Sequence, residues 1–130
     1  MKVRCVQLID AFGKPQERSD WLTKGKVYQV LSVYQGADRK WKLRLVGDGL
    51  NGVALFSMEG FEVMTSTIPP TWIASWGNQG AFDMSPEPWT RVGFWEDFYD
   101  QKPYALKIFE EEVRKIVESE PGFDGRRHSP

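Results

Sequence analysis

Apolar and β-branched positions fall in short runs through the first half of the chain and at helical spacing near its end. The run Val3-Arg4-Cys5-Val6-Gln7-Leu8-Ile9 is β-rich and mostly apolar. Val27 to Tyr34 is a second run of β-branched and aromatic residues, opened by the turn signal Thr23-Lys24-Gly25-Lys26. Both predict strands, separated by a charged loop over 10–24. Lys40 to Val46 alternates, which sends Trp41, Leu43 and Leu45 to one face and Lys40, Lys42 and Arg44 to the other. The first set is predicted core and the second solvated. Gln35 to Arg39 reads as a hairpin connection and Gly47-Asp48-Gly49 as a tight turn. Leu50 to Phe56 and Phe61 to Met64 bring the count to about five short strands, the pattern of a small barrel or half-open roll.

The character changes at Ile68-Pro69-Pro70, because a double proline cannot continue a ladder. Thr71 to Trp89 is rich in Gly, Pro, Asn and Ser but holds Trp72, Trp76, Phe82 and Trp89. A disordered linker is poor in aromatics, so this segment is predicted to pack as an irregular wrap. Thr90 to Asp100 reads as helical. From Pro103, a favoured first helical residue, Leu106, Phe109, Val113, Ile116 and Val117 line one helical stripe. Glu110, Glu111, Arg114, Lys115 and Glu118 fill the other side, and Pro121-Gly122 stops the helix. The expected fold is α+β, one domain over 1–120. A small, mostly antiparallel SH3-like β-barrel occupies 1–66, an aromatic-rich wrap and a C-terminal amphipathic helix occupy 67–120, and 121–130 is a flexible tail.

Composition narrows the class. The 130 residues, 41% hydrophobic, suit a single core. The lone Cys5 cannot form an internal disulfide and sits in an apolar run as a small core residue. No stretch approaches the roughly 20 apolar residues of a membrane span. The start, Met1-Lys2-Val3-Arg4, leads into no uninterrupted apolar region, so no signal peptide is read and the expected location is the cytoplasm. Charge is uneven: residues 1–65 hold ten Lys/Arg against seven Asp/Glu, and 66–120 hold five against ten. Such a dipole bears on partners and association rate.

Catalytic chemistry is hard to assemble from these residues. The one histidine, His128, lies in the tail, which leaves no Ser-His-Asp or Cys-His pair and no zinc ligand set. Gly47-Asp48-Gly49 joins two strands and opens no helix, so it is not a phosphate loop. Glu96, Asp97 and Asp100, and then Glu110, Glu111 and Glu112, are predicted to lie on exposed helix faces. The expectation is a binding protein, not an enzyme, with no cofactor.

Two surfaces are candidates for binding. Phe94 to Asp100 holds four aromatics and three acids in seven residues. Some of these rings must be core; Trp95, Glu96, Asp97, Tyr99 and Asp100 are the candidate contacts for a protein partner, with an acidic rim to steer a basic one. The alternative is nucleic acid on the strand face of Arg39, Lys40, Lys42 and Arg44. Against it, Trp41 points away from Lys40 and Lys42, and the isoelectric point is near 5.9.

The stretch Leu22-Thr23-Lys24-Gly25-Lys26-Val27-Tyr28-Gln29-Val30, followed by Asp48-Gly49 and Phe61-Glu62-Val63, resembles small bacterial SH3-like barrels. Gly93 to Asp100, with Ala105 and Phe109 to Ile116, resembles the C-terminal helices of immunity proteins of polymorphic or contact-dependent toxin systems. The resemblance implies a bacterial cytoplasmic protein that neutralises a toxin; the acidic, aromatic region adds the expectation that the toxin domain is basic and is blocked by occlusion. An SH3-like module with another partner is equally compatible with it; a phage or plasmid accessory factor or a subunit of a larger complex is a separate alternative.

Overall fold

The structure, a computed structural model, describes residues 1–49 and 52–120. The chain is α+β, with eight strands, every pairing antiparallel, and one main helix. Strand β1, Lys2–Cys5, is the centre of a three-stranded sheet between β2, Val27–Gln29, and β6, Phe61–Thr65. The second sheet has five strands. Its order runs from β5, Val53–Ser57, through β4, Trp41–Val46, and β3, Ser32–Gln35, to β8, Phe82–Pro86, and β7, Trp72–Trp76. No closed barrel forms among the described residues.

The expected single strand from Val27 to Tyr34 is two strands in different sheets. At the break the Val30 N–H donates to the Met1 carbonyl (3.0 Å) and the Leu31 N–H to the Arg44 carbonyl (2.8 Å). One residue is thus bonded beside the first sheet and the next to the second. Both side chains are buried, at 0% and 1% exposure. Strand alternation would send one of them to solvent, so the backbone bends where two successive apolar residues meet a core on both sides.

The 10–24 segment carries more structure than a plain loop. Ile9 and Pro15 form an isolated bridge, and the Asp10 carboxylate accepts the N–H groups of Phe12 (2.8 Å) and Lys14 (2.9 Å). Its far end is tied down by Asp48, which accepts Thr23 Oγ1 (2.6 Å), Lys26 Nζ (2.7 Å) and the Tyr28 hydroxyl (2.9 Å). Trp21 lies against Gly47, where a Cβ would come within 2.8 Å of its ring. Glycine is needed there by close approach, not by φ.

After β5 a 3-10 turn, Met58–Gly60, reverses the chain into β6. The prolines that follow end β6 as expected, but the segment beyond them is no irregular wrap. It folds into the β7–β8 hairpin, and β8 pairs with β3. The aromatics that kept this segment from reading as a linker are strand residues. The first part of the predicted strand from Leu50, and the whole tail with Pro121-Gly122 and His128, lie outside the described residues.

Helix α1, Phe94–Tyr99, and helix α2, Pro103–Glu118, close the fold. Trp89 is 2% exposed and stacks on Phe109 (5.2 Å between ring centres), and Phe98 lies 4.5 Å from Phe109. The buried stripe of α2 runs through Ala105, Glu112 and Ile116, with Ile108, Phe109 and Val113 beside it. Two expectations are corrected: Val117 is exposed, and Glu112 is buried with its Oε1 taking Lys115 Nζ at 3.3 Å. The N-terminal amine meets Glu120 at 2.5 Å, linking β1 to the end of α2. No helix among the described residues is long and apolar enough to cross a membrane.

Lys26, Thr23 and Tyr28 hold the Asp48 carboxyl below its ordinary value of 3.8. A depressed carboxyl stabilises the fold above the ordinary value, and that contribution is lost as pH falls through the folded value. Wild-type urea midpoints are therefore expected to fall between about pH 5 and pH 2. Asp48→Asn is expected to be less stable at neutral pH and to show a shallower acid slope; an unchanged slope would remove Asp48 as its source.

Candidate partner-binding face

On β4 the alternation puts Leu43 and Leu45 wholly in the core at 0% exposure. Trp41 shares their side of the strand but sits at its end, where the core has run out, and is 41% exposed. The register then decides what it meets. Trp41 stands opposite Gln35, Gln35 opposite Phe82, and Phe82 opposite Trp76. Residues paired across strands share a face, so four adjacent strands line up one row of side chains. Trp41 touches Phe82 edge-on (6.0 Å), and Phe82 touches Trp76 (4.9 Å). Trp76 is 74% exposed.

The rim of this row is set by the β3–β4 turn. Arg39 adopts φ 65°, a left-handed conformation, and its carbonyl accepts Gln35 Nε2 at 3.1 Å. Its guanidinium lies beside Gly80 in the β7–β8 turn, 3.5 Å from where a Cβ would stand. One cation thus reaches the β7–β8 turn, next to the end of the row, from a neighbouring hairpin.

On its other side Trp41 borders an open groove of about 990 Å³ between the 10–22 segment and the β4–β5 edge. Phe12, Trp21, Leu55 and Met58 contribute apolar wall. Asp38, Lys40, Lys42 and Glu59 supply charges of both signs. Phe12 is 86% exposed at the tip of the turn that Asp10 holds. Groove and row meet at Trp41.

No protein-family model, curated protein or solved structure matches this chain.

The three cations expected on one solvated strand face, and Arg39 expected beside it, do not form one exposed set. Arg39 borders the aromatic row, Lys40 is exposed at the start of β4, and Lys42 is half-buried at the groove. Arg44 is taken out of the set: its guanidinium stacks on the Trp95 ring at 3.7 Å, under α1. Burial pulls the Arg44 pKa down, and the nearby Tyr99 phenol and Asp83 carboxyl act against that. Burial pushes the Asp83 carboxyl up although Ser85 Oγ donates to it at 2.5 Å.

The acidic-aromatic set is likewise divided. Trp95 is half-buried between Arg44 and Trp89 (5.4 Å). The Tyr99 hydroxyl donates to the Val53 carbonyl at 2.8 Å. Asp97 accepts the Tyr104 hydroxyl and has Lys102 Nζ at 3.9 Å. Glu96 and Asp100 remain exposed, one turn apart on α1. Sequence reasoning missed the row of Trp41, Phe82 and Trp76, because register between β3, β8 and β7 decides it. Burial also pushes the Cys5 thiol up, consistent with its place in the core. Among the described residues no group of three His, Cys, Asp or Glu is arranged to hold a metal ion.

The contact between Arg44 and Trp95 rests on the apolar stem as much as on the charge. Arg44→Ala is expected to cost about 2 kcal/mol in chemical denaturation, with a shift in tryptophan emission. Arg44→Met, which keeps the stem and removes a buried charge, is expected to recover at least half of that loss. Equal losses in both variants would show that the charge, not the stem, carries the contact.

Proposed function

We propose that this protein is a non-enzymatic protein-binding module on an SH3-like roll, and that it grips an extended segment of its partner along the groove at Trp41. The SH3-like reading rests on the order of two half-sheets, β2-β1-β6 and β5-β4-β3, with the chain crossing between them at Val30 and Leu31. The 3-10 turn before β6 fits the same plan. The β7–β8 hairpin and the helices are additions to it.

The observation that carries the binding reading is Trp41, exposed at the junction of an aromatic row and a mixed-charge groove. Tryptophan contributes large apolar area with few rotatable bonds, and such residues dominate binding energy when a partner covers them. Lys40, Lys42 and Glu59 at the groove set the direction of a charged segment. A protein partner is favoured over nucleic acid because Arg44 is spent inside the fold and the chain's net charge is −1. A cytoplasmic address belongs to the same proposal.

A second reading, an immunity-type inhibitor of a basic toxin domain, is favoured by Glu96 and Asp100, which stay exposed on α1. The two readings use different faces and separate cleanly. Tagged wild type, Trp41→Ala and the double variant Glu96→Lys/Asp100→Lys are used to capture partners from the source cells. Eluates are read by mass spectrometry and at 260 nm. The expected result is a stoichiometric protein held by wild type and by the charge-reversed variant, and weakened more than tenfold by Trp41→Ala. The reverse pattern moves the contact to α1. Nucleic acid that washes off with moderate salt would replace both readings with the strand-face one.

A further inference from the structure

One of the two outer strands of the five-stranded sheet, β7, has no strand on its far side among the described residues. It reads Trp72-Ile73-Ala74-Ser75-Trp76, with no charge and no proline. Sheet edges in monomeric proteins are normally blunted by lysine, proline, a bulge or a covering segment. None of the first three is present, and the β7–β8 register runs without a shift through all five residues. Ile73 is 40% exposed and Trp76 74%.

Hydrogen bonding says which backbone groups face outward. The Gly77 N–H donates to the Ala81 carbonyl at 2.9 Å. Antiparallel bonding alternates, so Ser75 and Ile73 bond to β8, and the N–H and C=O of Ala74 and Trp76 point away from the sheet. The Trp72 N–H is taken by the Pro69 carbonyl at 3.1 Å, and the Trp72 carbonyl faces outward.

We propose that two copies of this chain associate through β7, antiparallel about Ala74, joining two five-stranded sheets into one. Ala74 and its counterpart exchange a pair of N–H···O bonds across the twofold axis. At each end the Trp76 N–H of one copy donates to the Trp72 carbonyl of the other. The strand suits this because it carries tryptophan two residues to either side of Ala74. A twofold axis there sets the exposed Trp76 of each copy beside Trp72 of the other, whose ring is buried in its own core, and Ile73 opposite Ser75 on the other face. No charge meets its like across the axis. A second copy is therefore favoured over a foreign strand, for which this symmetry would serve no purpose. A five-residue edge falls short of the roughly 1,200 Å² of a stable interface, so the dimer is weak and depends on concentration. The inference does not rest on the Trp41 groove, which lies on other strands of the same sheet, but it shares Trp76 with the aromatic row, so Trp41→Ala is the variant that separates the two readings.

Sedimentation velocity on the full chain from about 1 to about 200 µM tests it, a range chosen for a weak interface. Wild type is expected to move from the 15.0 kDa monomer to twice that mass. Ala74→Pro removes an outward N–H and leaves the bonds to β8 intact. Trp76→Lys puts a charge at the edge without touching the backbone. Both are expected to weaken association at least tenfold, with circular dichroism and melting as in wild type, while Trp41→Ala still dimerises. A 15.0 kDa species at every wild-type concentration overturns the inference. So does a dimer that survives both edge substitutions; if Ala74→Pro fails to fold, Trp76→Lys decides alone.

Discussion

Val30 and Leu31 pass through the middle of the molecule with both side chains buried, and the other elements take their places from that crossing. Before it the chain pairs with β1; after it the chain pairs with β4. Two sheets sharing one continuous segment must pack face to face, and the residues between them, Val3, Cys5, Leu43 and Leu45, are fully buried. Burying such a side chain is worth about 1.5 to 3 kcal/mol, so these few residues supply much of what opposes chain entropy. The crossing also decides what β3 offers on its far side. With β4 on one flank, its other flank is free to receive β8, and the five-stranded sheet follows.

Charged groups show how the addition of helices changes the roll beneath them. On a bare strand Arg44 would stand in water. With α1 laid over it, the guanidinium is stacked against Trp95 and its Nε has no hydrogen-bond partner among the described residues. Glu112 is in a similar position on α2, with Oε2 buried and unpartnered while Oε1 takes Lys115. Each such atom forgoes water without full repayment, a cost of about 1 to 3 kcal/mol. The helices remain docked because the ring cluster of Trp89, Phe94, Trp95, Phe98 and Phe109 outweighs those losses.

Local signals in the sequence mark the elements better than their partners. The alternation of Lys40 to Val46 identifies β4, and helical spacing identifies α2, because each pattern is written in consecutive residues. The wrap over 71–89 could not be read as a hairpin: Gly, Pro and Asn dilute it, and its strands gain their stability from pairing with β3 rather than from propensity. Arg44 was misplaced for a related reason, since alternation gives the face of a strand but not what covers that face. The acids on α1 were visible as a cluster. That Asp97 is engaged by Tyr104 and Lys102, while Glu96 and Asp100 are not so engaged, depends on how α2 returns past α1.

The aromatic row follows from the same geometry and bears on why it exists at all. Leu43 and Leu45 are covered because the opposing sheet reaches them, and Trp41 is uncovered because it stands beyond that reach. A polar residue at position 41 would fit solvent better, as would one at position 76 on an open edge. The fold gains little from the Trp76 ring, which leaves 74% of its surface in water. Isolated exposed apolar residues are ordinary, but here three rings from three strands are in contact and continue into a groove lined by three more, Phe12, Trp21 and Phe56. An apolar surface that the fold gathers but does not bury is the ground on which the proposed binding role rests.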